Sequence, residues 1–382
     1  MPMIGVSQRR AADRWFLDRG LPAVLRPGAL VRRLWPRSAP ALATFAVFMA
    51  NSALVVQITG KHTIDIEGQP TRTEWFILAL LVFVLPIGAT VGWLVSRIHT
   101  QQARTIAATL AVAVAIAGGV IGGPSASVLA DLIFEAIVIA AILALTASGA
   151  GSILGWAVQM TMSNLAAAGS LAVRALPVLL LTFLVFFNSP VWLMASTISR
   201  GRLWVALLFL IVIAAAFVVS ITAERVRAIM AAAQPGDDRS SQLAGTPFET
   251  MPVPEQIRPL SRGERLNVIF VVAASQISQI LIIAAMTALV FMILGLILLS
   301  PEVLAAWTRN GRSDGTVLGM TIPVPDSLIQ ITFFLGALTF MYMSARTAGD
   351  TEYRTRFFDP LIDDVRLTLA ARNRYRAAVS AR

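Results

Sequence analysis

Long apolar runs, separated by short segments that carry most of the arginines, constrain this chain more than any other feature. A helix needs about 20 consecutive apolar residues to cross a hydrocarbon core of about 30 Å. The sequence contains eight such runs, at 41–59, 75–96, 105–122, 126–148, 175–197, 203–222, 276–299 and 327–345. Only 14% of the residues are charged, against about 25% in soluble domains. The pattern predicts an all-α, polytopic helical membrane bundle with about eight transmembrane helices.

The distribution of basic residues predicts the orientation of these helices. With a cytoplasmic N-terminus and eight crossings, the cytoplasmic segments hold 25 Lys and Arg residues, and the outer loops hold six. Such an excess of basic residues is typical of cytoplasmic segments. A ninth crossing at 150–168 would instead place 14 basic residues inside and 17 outside. The eight-span arrangement is therefore favoured, with both termini in the cytoplasm.

The polar segments divide the chain into five parts. These are a basic, amphipathic N-terminal tail (1–40), helices one to six (41–222) with an interfacial or re-entrant segment near 149–173, a cytoplasmic linker (223–266), helices seven and eight (267–348) with an outer loop at 300–326, and a cytoplasmic amphipathic C-terminal helix (349–382).

The linker contains a mobile stretch and a helix start. Residues 237–258 are rich in Ser, Pro and Gly, which predicts a mobile chain. Ser261 and Glu264 have the Ser-x-x-Glu spacing of a capping box. We expect a continuous helix from about 262 to 299, with Gln276 and Gln279 near the cytoplasmic interface.

The C-terminal helix has an apolar face and two alternative functions. Asp359 is the expected N-cap and Pro360 the first helical residue. One face carries the apolar residues Phe358, Ile362, Val365 and Leu369. The helix is either a membrane-surface anchor or a docking helix for a cytoplasmic protein. The anchor is favoured, because anionic lipid lies beside the basic residues.

The N-terminal tail contains a second amphipathic segment, 14–22, in which Trp15, Phe16 and Leu17 are expected in the headgroup layer. Together with the tail segment 353–361, this stretch resembles uncharacterised multi-pass integral membrane proteins of actinobacteria. The resemblance covers only the two tails and implies no activity. We expect the bacterial plasma (inner) membrane as the location.

Composition excludes several classes of function. The chain has no cysteine, and its only histidines, His62 and His99, fall on opposite sides of the predicted bilayer. Thiolate chemistry and a histidine metal site are therefore absent from the prediction. Lys61 is the only lysine and follows no phosphate-binding loop pattern. We expect no catalytic residues, no cofactor, no metal and no nucleic acid, and we assign the net charge of +10 to contact with anionic lipids.

Asp131 and Glu135 are the best candidates for chemistry. They are one helical turn apart in the fourth span, so they share a face. Glu135 falls near the midplane, where a carboxylate costs about 2.5–3.5 kcal/mol. No arginine or lysine lies deep in any span. Two such carboxylates can share a proton or bind a cation. The alternative is that the span begins later, so that Asp131 lies in an outer vestibule and Glu135 bonds to Asn51 or Asn188.

Other polar and helix-breaking residues mark a candidate polar pathway. Asn51, Asn188 and Gln279 are amides within or beside apolar runs. Pro190 follows Asn188 and is expected to kink span five, because proline has no N–H to donate. Such kinks build polar sites in transporters, although packing is the more common reason for them.

Two overlapping glycine pairs lie at the end of span three. Gly118 and Gly122, and Gly119 and Gly123, each have the Gly-x-x-x-Gly spacing that permits close helix–helix approach. The pattern alone does not distinguish internal packing from dimerisation or from a flexible helix end.

Three functions remain compatible with the sequence. The first is a non-catalytic scaffold or assembly component of a membrane complex, which binds protein partners through the N-tail, the linker 223–266 and the C-terminal helix. The alternative is a small-solute or proton-coupled transporter that uses Asp131 and Glu135. An enzyme acting on lipid or isoprenoid substrates ranks last.

Overall fold

The structure is a computed structural model that divides into two compact units. Unit A comprises Gly28–Ser148 and Ser300–Ile329, and unit B comprises Met1–Pro27, Gly149–Leu299 and Gln330–Arg382. Within these bounds the structure describes residues 5–25, 30–31, 33–62, 64–66, 70–123, 125, 127–164, 182–232, 240–253, 259–309, 315–317, 320–346 and 359–380.

Unit A is built on four long helices. They are α2 (Leu34–Thr59), α3 (Arg72–Ser96), α4 (Gln101–Gly122) and α5 (Val128–Ser148). Helix α2 packs against the other three. The buried core that α2 shares with α4 includes the alanines Ala39, Ala43, Ala46, Ala108 and Ala111. Such small side chains let helix backbones approach closely, which is how membrane helices commonly associate.

The predicted outer loop 300–326 folds into a helix and a hairpin. It contains α10 (Pro301–Thr308), β1 (Gly315–Val317) and β2 (Met320–Ile322), with the two strands antiparallel. The segment after α2 joins β2, because Thr321 donates its N–H to the Ile64 carbonyl at 2.8 Å and accepts from the Ile66 N–H at 3.0 Å. Two loops that were both predicted to lie on the outer side therefore contact each other.

Unit B contains the remaining helices. They are α1 (Val6–Asp18), α6 (Ala150–Asn164), α7 (Ser189–Thr197), α8 (Arg200–Ala232), α9 (Arg262–Leu298), most of α11 (Asp326–Arg346) and α12 (Asp359–Ser380). Short 3₁₀ turns lie at Pro22–Val24 and Ser240–Leu243. Helices α8, α9 and α11 share an apolar core that includes Val218, Ile280 and Phe340.

Seven helices of the described chain are long and apolar enough to cross a membrane: α2, α3, α4, α5, α8, α9 and α11. They correspond to seven of the eight predicted runs and confirm a helical, multi-pass membrane protein. The other run, 175–197, lies outside the described residues at 175–181. Helix α6 is described over 15 residues, Ala150–Asn164, and residues 165–181 after it lie outside the described part of the chain.

Helix α9 begins where the capping box predicts. The Ser261 side chain accepts the Glu264 N–H, the Glu264 side chain accepts the Ser261 N–H, and the helix continues for 37 residues. At about 1.5 Å per residue this is about 55 Å, well beyond a hydrocarbon core of about 30 Å. The expected continuous helix is confirmed.

The chain breaks at Asn188 rather than bending smoothly. Asn188 has extended backbone angles, and α7 starts at Ser189 with Pro190 in its first turn. Since Pro190 has no N–H, the Phe186 carbonyl loses its usual helical donor. The buried indole of Trp192 donates Nε1–H to that carbonyl instead, at 2.5 Å.

Three distant segments pack into one cluster in unit B, here called the tail module: α1 with the turn Pro22–Val24, residues 240–253, and α12. The rings of Phe16 and Phe248 lie 5.1 Å apart between centroids, and those of Phe16 and Tyr375 lie 5.5 Å apart. All three side chains are buried. Buried aromatic rings in such edge and tilted contacts stabilise a core.

The tail module corrects three predictions. Residues 240–253 were expected in a mobile linker, yet Leu243 and Phe248 are fully buried there. Phe16 was expected in the headgroup layer and lies in the protein core. Ile362 and Val365, expected on the membrane surface, are buried within unit B; Phe358 lies outside the described residues. An amphipathic pattern shows that a face is covered but not whether lipid or protein covers it.

Candidate carboxylate site on α4 and α5

Helix α5 buries only two of its side chains, and both are acids. Asp131 is 3% exposed and Glu135 is 1% exposed. The apolar side chains of the same helix point outwards; Leu129 is 69% exposed and Ile137 62%. A helix with carboxyl groups inside and apolar groups outside is the arrangement expected where lipid surrounds the bundle.

Glycines of α4 provide the space for both carboxyl groups. A Cβ atom on Gly119 would overlap Oε1 of Glu135, and a Cβ on Gly123 would overlap Oδ2 of Asp131. Each acid therefore lies directly against the α4 backbone. Any larger residue at Gly119 or Gly123 would displace the carboxyl group it faces.

The other glycine pair of α4 faces α2. A Cβ on Gly118 would lie 2.9 Å from the Met49 backbone, and a Cβ on Gly122 would lie 2.9 Å from the Ala53 Cα. Gly118 and Gly122 thus hold α4 close to α2. The overlapping pattern in the sequence separates into a packing pair and an acid-facing pair.

Asp131 lies at the end of α5 nearest the α4–α5 turn. Its Oδ1 accepts the Ser125 N–H at 3.1 Å. The last carbonyls of α4 also have partners: Ser52 Oγ donates to the Gly122 carbonyl at 2.9 Å, and His62 Nδ1 lies 2.9 Å from the Gly123 carbonyl. The end of α4 is therefore held by side chains, as the last carbonyls of a helix require. The sequence did not single out His62, Ser52 or Ser125 for this site.

Glu135 differs from Asp131 in its surroundings. Among the described residues, neither Oε1 nor Oε2 of Glu135 has a hydrogen-bond partner. An ionised carboxylate without a partner in an apolar interior is very costly, whereas a neutral acid is less so. This arrangement suits a group that binds and releases a proton.

The three predicted amides do not join this site as partners of Glu135. Asn51 is half-buried on α2. Asn188 is exposed in unit B and makes no side-chain cap. Gln279 is buried on α9. Neither Asn51 nor Asn188 is bonded to Glu135, so the predicted hydrogen bond from them is absent from the structure.

A second buried glutamate, Glu264, lies in unit B beside the tail module and is 2% exposed. Arg372 binds it with two hydrogen bonds, Nε to Oε1 at 3.0 Å and Nη2 to Oε2 at 2.7 Å. Arg376 donates to Oε1 at 3.2 Å, and the Ser261 N–H donates to Oε2 at 2.9 Å. The sequence predicted Glu264 as a capping residue but not its arginines, although two arginines one helical turn apart on α12 are a detectable signal.

No family model, no curated protein sequence and no solved structure matches the chain.

Proposed function

We propose that this protein is a proton-coupled membrane transporter of a small solute, with Asp131 and Glu135 as its proton-binding site. The observation that carries the proposal is the buried, unpartnered carboxyl group of Glu135. An ionisable residue in a membrane span is a functional candidate by default, because its insertion costs about 2.5–3.5 kcal/mol.

The depth of Glu135 supports this function. It is seven residues after the start of α5 at Val128, which corresponds to about 11 Å along the helix at about 1.5 Å per residue. Asp131 lies about 6 Å nearer the helix start by the same rise. A proton entering from that end meets Asp131 first and Glu135 second.

The orientation of the protein is part of the same proposal. Ile64 and Ile66 are both hydrogen-bonded to Thr321, which supports an even number of crossings between Ile66 and Thr321. Five candidate spans, α3, α4, α5, α8 and α9, lie between Ile66 and Thr321. The predicted span at 175–197 supplies the sixth. Both termini then face the arginine-rich cytoplasmic side of a bacterial plasma membrane, next to anionic lipids.

Infrared difference spectroscopy tests the proton site in lipid vesicles. We expect the wild type at neutral pH to show the C=O stretching band of a neutral carboxylic acid and Glu135→Gln to lack it. Glu302→Gln is the matched control: this residue is exposed on α10, and a hydrogen bond from Ser300 lowers the pKa of Glu302, so its loss leaves the band unchanged. A band that persists in Glu135→Gln would overturn the assignment.

Coupling is tested in inverted vesicles that carry a pH gradient reported by a fluorescent dye. Sodium chloride, potassium chloride and single amino acids and sugars are added in turn. We expect at least one solute to dissipate the gradient with the wild type and with Glu302→Gln, but not with Asp131→Asn/Glu135→Gln. Equal dissipation by the double variant would contradict transport through this site.

Single cysteines test the orientation, because the natural chain contains none. Lys61→Cys and Arg309→Cys should react with a membrane-impermeant maleimide in intact cells. Ser7→Cys and Asp363→Cys should react only after permeabilisation. Labelling of Lys61→Cys and Arg309→Cys from opposite sides would exclude the eight-span arrangement.

A scaffold is the second candidate, and the tail module supports it. This module joins segments from both ends of the chain and from the linker into one folded surface, which is suited to holding a partner protein. Deleting 350–382 is a poor test, because it would remove Tyr375. The ring of Tyr375 packs against Phe16, which in turn packs against Phe248, so the deletion would also disturb the core of the module. Charge reversal at the exposed Asp363 and Arg366 should instead release co-purifying proteins from a scaffold while leaving the fold intact.

A further inference from the structure

His62 occupies a defined position at the end of α4, although its side chain is exposed. Its Nδ1 lies 2.9 Å from the Gly123 carbonyl. Since a carbonyl only accepts hydrogen bonds, Nδ1 must carry the hydrogen. The other nitrogen, Nε2, is then the one that takes up or releases a proton.

The loop that holds His62 is fixed on both sides. Gly60 has a φ of 66° and ends α2 with its N–H bonded to the Val56 carbonyl at 2.7 Å. Ile64 and Ile66 are buried and hydrogen-bonded to Thr321. His62 is therefore held at the α4 terminus by the fold itself.

Gly123 connects His62 to the acid pair. Its carbonyl binds the imidazole, and its Cα lies against Asp131. From the surface inwards, the titratable groups are the exposed His62, Asp131 and then Glu135. Three proton-binding groups of increasing burial thus line one end of the α4–α5 pair.

The other charged groups on the elements around α5 lie elsewhere. On α2, Arg37 donates to the Leu30 carbonyl at 2.6 Å and to the Thr146 carbonyl at the opposite end of α5. On α4, Arg104 lies in the first turn and binds the Ile98 carbonyl at 2.8 Å. Lys61 is exposed beside His62. His62 and Asp131 contact the same residue, Gly123, at the end of α4.

We propose that His62 is the proton-entry residue of this site. Water on the outer side delivers a proton to Nε2, and the imidazolium passes a proton through water to the Asp131 carboxylate. His62 returns to its neutral form, and Asp131 becomes a neutral acid. Asp131 then transfers its proton to Glu135 and is ionised again. An imidazole suits this step because it exchanges protons near neutral pH.

This inference rests on the proposed function. Its test measures how fast Glu135 becomes protonated and not whether Glu135 becomes protonated. The outer pH of vesicles with the protein in one orientation is lowered rapidly from an alkaline value at which the Glu135 C=O band is absent, and growth of that band is followed by time-resolved infrared spectroscopy. We expect His62→Gln to slow the band by about 100-fold, the lower range for a positioned proton-transfer group. The final amplitude should equal that of the wild type.

Two further variants make the result decisive. Glutamine keeps a donor for the Gly123 carbonyl, so His62→Gln preserves the loop, whereas His62→Ala opens a space in which added imidazole should restore the rate. His99→Ala is the control, because His99 is also exposed and should leave the rate unchanged. An unaltered rate in His62→Gln, with the Glu135 band present, would overturn the entry function alone. Absence of the Glu135 band from the wild type would overturn both proposals.

Discussion

Two glutamates in this chain are buried to nearly the same extent, 1% exposed for Glu135 and 2% for Glu264, yet their surroundings are opposite. Glu264 accepts hydrogen bonds from two arginines and a backbone N–H. Glu135 has no hydrogen-bond partner among the described residues. Burial alone therefore does not identify a functional acid. The partner set does, because a paired carboxylate is locked in one charge state and an unpaired one is free to change it.

The two glutamates also differ in what holds them. Glu264 is bound by residues of α12, 108 positions away in the sequence for Arg372, so its ion pair ties the C-terminal helix to the start of α9. Glu135 is accommodated by the absence of a side chain at Gly119. The Glu264 site is stabilised by ion pairs, whereas the Glu135 site exists because Gly119 has no side chain.

The largest expected effect is the loss of the Glu264 ion pair. Glu264→Gln should lower the free energy of unfolding by about 3–5 kcal/mol, because it leaves the buried guanidinium of Arg372 without its counter-charge. Thermal or denaturant unfolding in detergent, followed by tryptophan fluorescence, measures the change. Arg366→Gln is the control on the same helix; its exposed ion pair with Asp363 should contribute less than about 1 kcal/mol. If both variants were equally stable, Glu264 would not be a structural acid.

Substituting the neighbouring glycines of α4 should lower the free energy of unfolding by less than Glu264→Gln does, and the two positions should differ from each other. Gly118→Ala places a Cβ 2.9 Å from the Met49 backbone, which has little room to move, so we expect about 1–3 kcal/mol of destabilisation. Gly119→Ala meets only the movable end of Glu135 and should be less destabilising. However, Gly119→Ala should shift the infrared C=O band, whereas Gly118→Ala should leave it in place. A band that shifts in Gly118→Ala but not in Gly119→Ala would mean that Gly118, and not Gly119, faces Glu135.

Glu135→Gln should change stability least among the buried acids. No ion pair is broken and the side-chain volume is kept, so the free energy of unfolding should change by at most about 1 kcal/mol. The same unfolding assay provides the direct comparison with Glu264→Gln. A loss as large as that of Glu264→Gln would show that Glu135 has a structural partner.

The weakest effect is a pH dependence in the tail module. Burial raises the pKa of Asp364, and the ion pair with Arg19 offsets this only in part. The folded state therefore binds the proton more tightly than the unfolded state does. The contribution of Asp364 to stability should be highest at low pH and fall as the pH rises from the ordinary aspartate range through the raised pKa.

Three variants test this assignment. Asp364→Asn should remove that fall, and Arg19→Gln should extend it to higher pH. Asp363→Asn, at the exposed neighbouring position, should leave the profile unchanged. Unfolding measured across this pH range in parallel samples gives the comparison. The assignment would be contradicted if stability increased with pH through this window in the wild type and Asp364→Asn had the same pH profile.

Local sequence patterns predicted the helices well because crossing a membrane demands a long apolar run. The capping box likewise predicted the start of α9, because its two residues, Ser261 and Glu264, lie within one four-residue stretch of the chain. The tail module was not predictable in this way. Phe16 and Tyr375 lie at opposite ends of the chain, and an apolar face gives no information about which distant surface covers it.

The acid site was predicted in part. Asp131 and Glu135 were identified because their spacing and the length of the apolar run place them on one face near the midplane. All four glycines were predicted to allow close helix packing, and Gly118 and Gly122 do so against α2. The place of Gly119 and Gly123 against the acids was not predicted, since a shift of one residue decides whether a glycine faces α2 or an acid. His62 was missed because its contact with Gly123 depends on how two loops fold back on the bundle.

Helix α9 has one further consequence. It runs from the Glu264 cluster to Phe291 and beyond without a break, and so contains no hinge to absorb a twist. A displacement of its first turn, where Arg372 and Arg376 bind Glu264, would therefore be transmitted along the helix to Phe291 without passing through a loop.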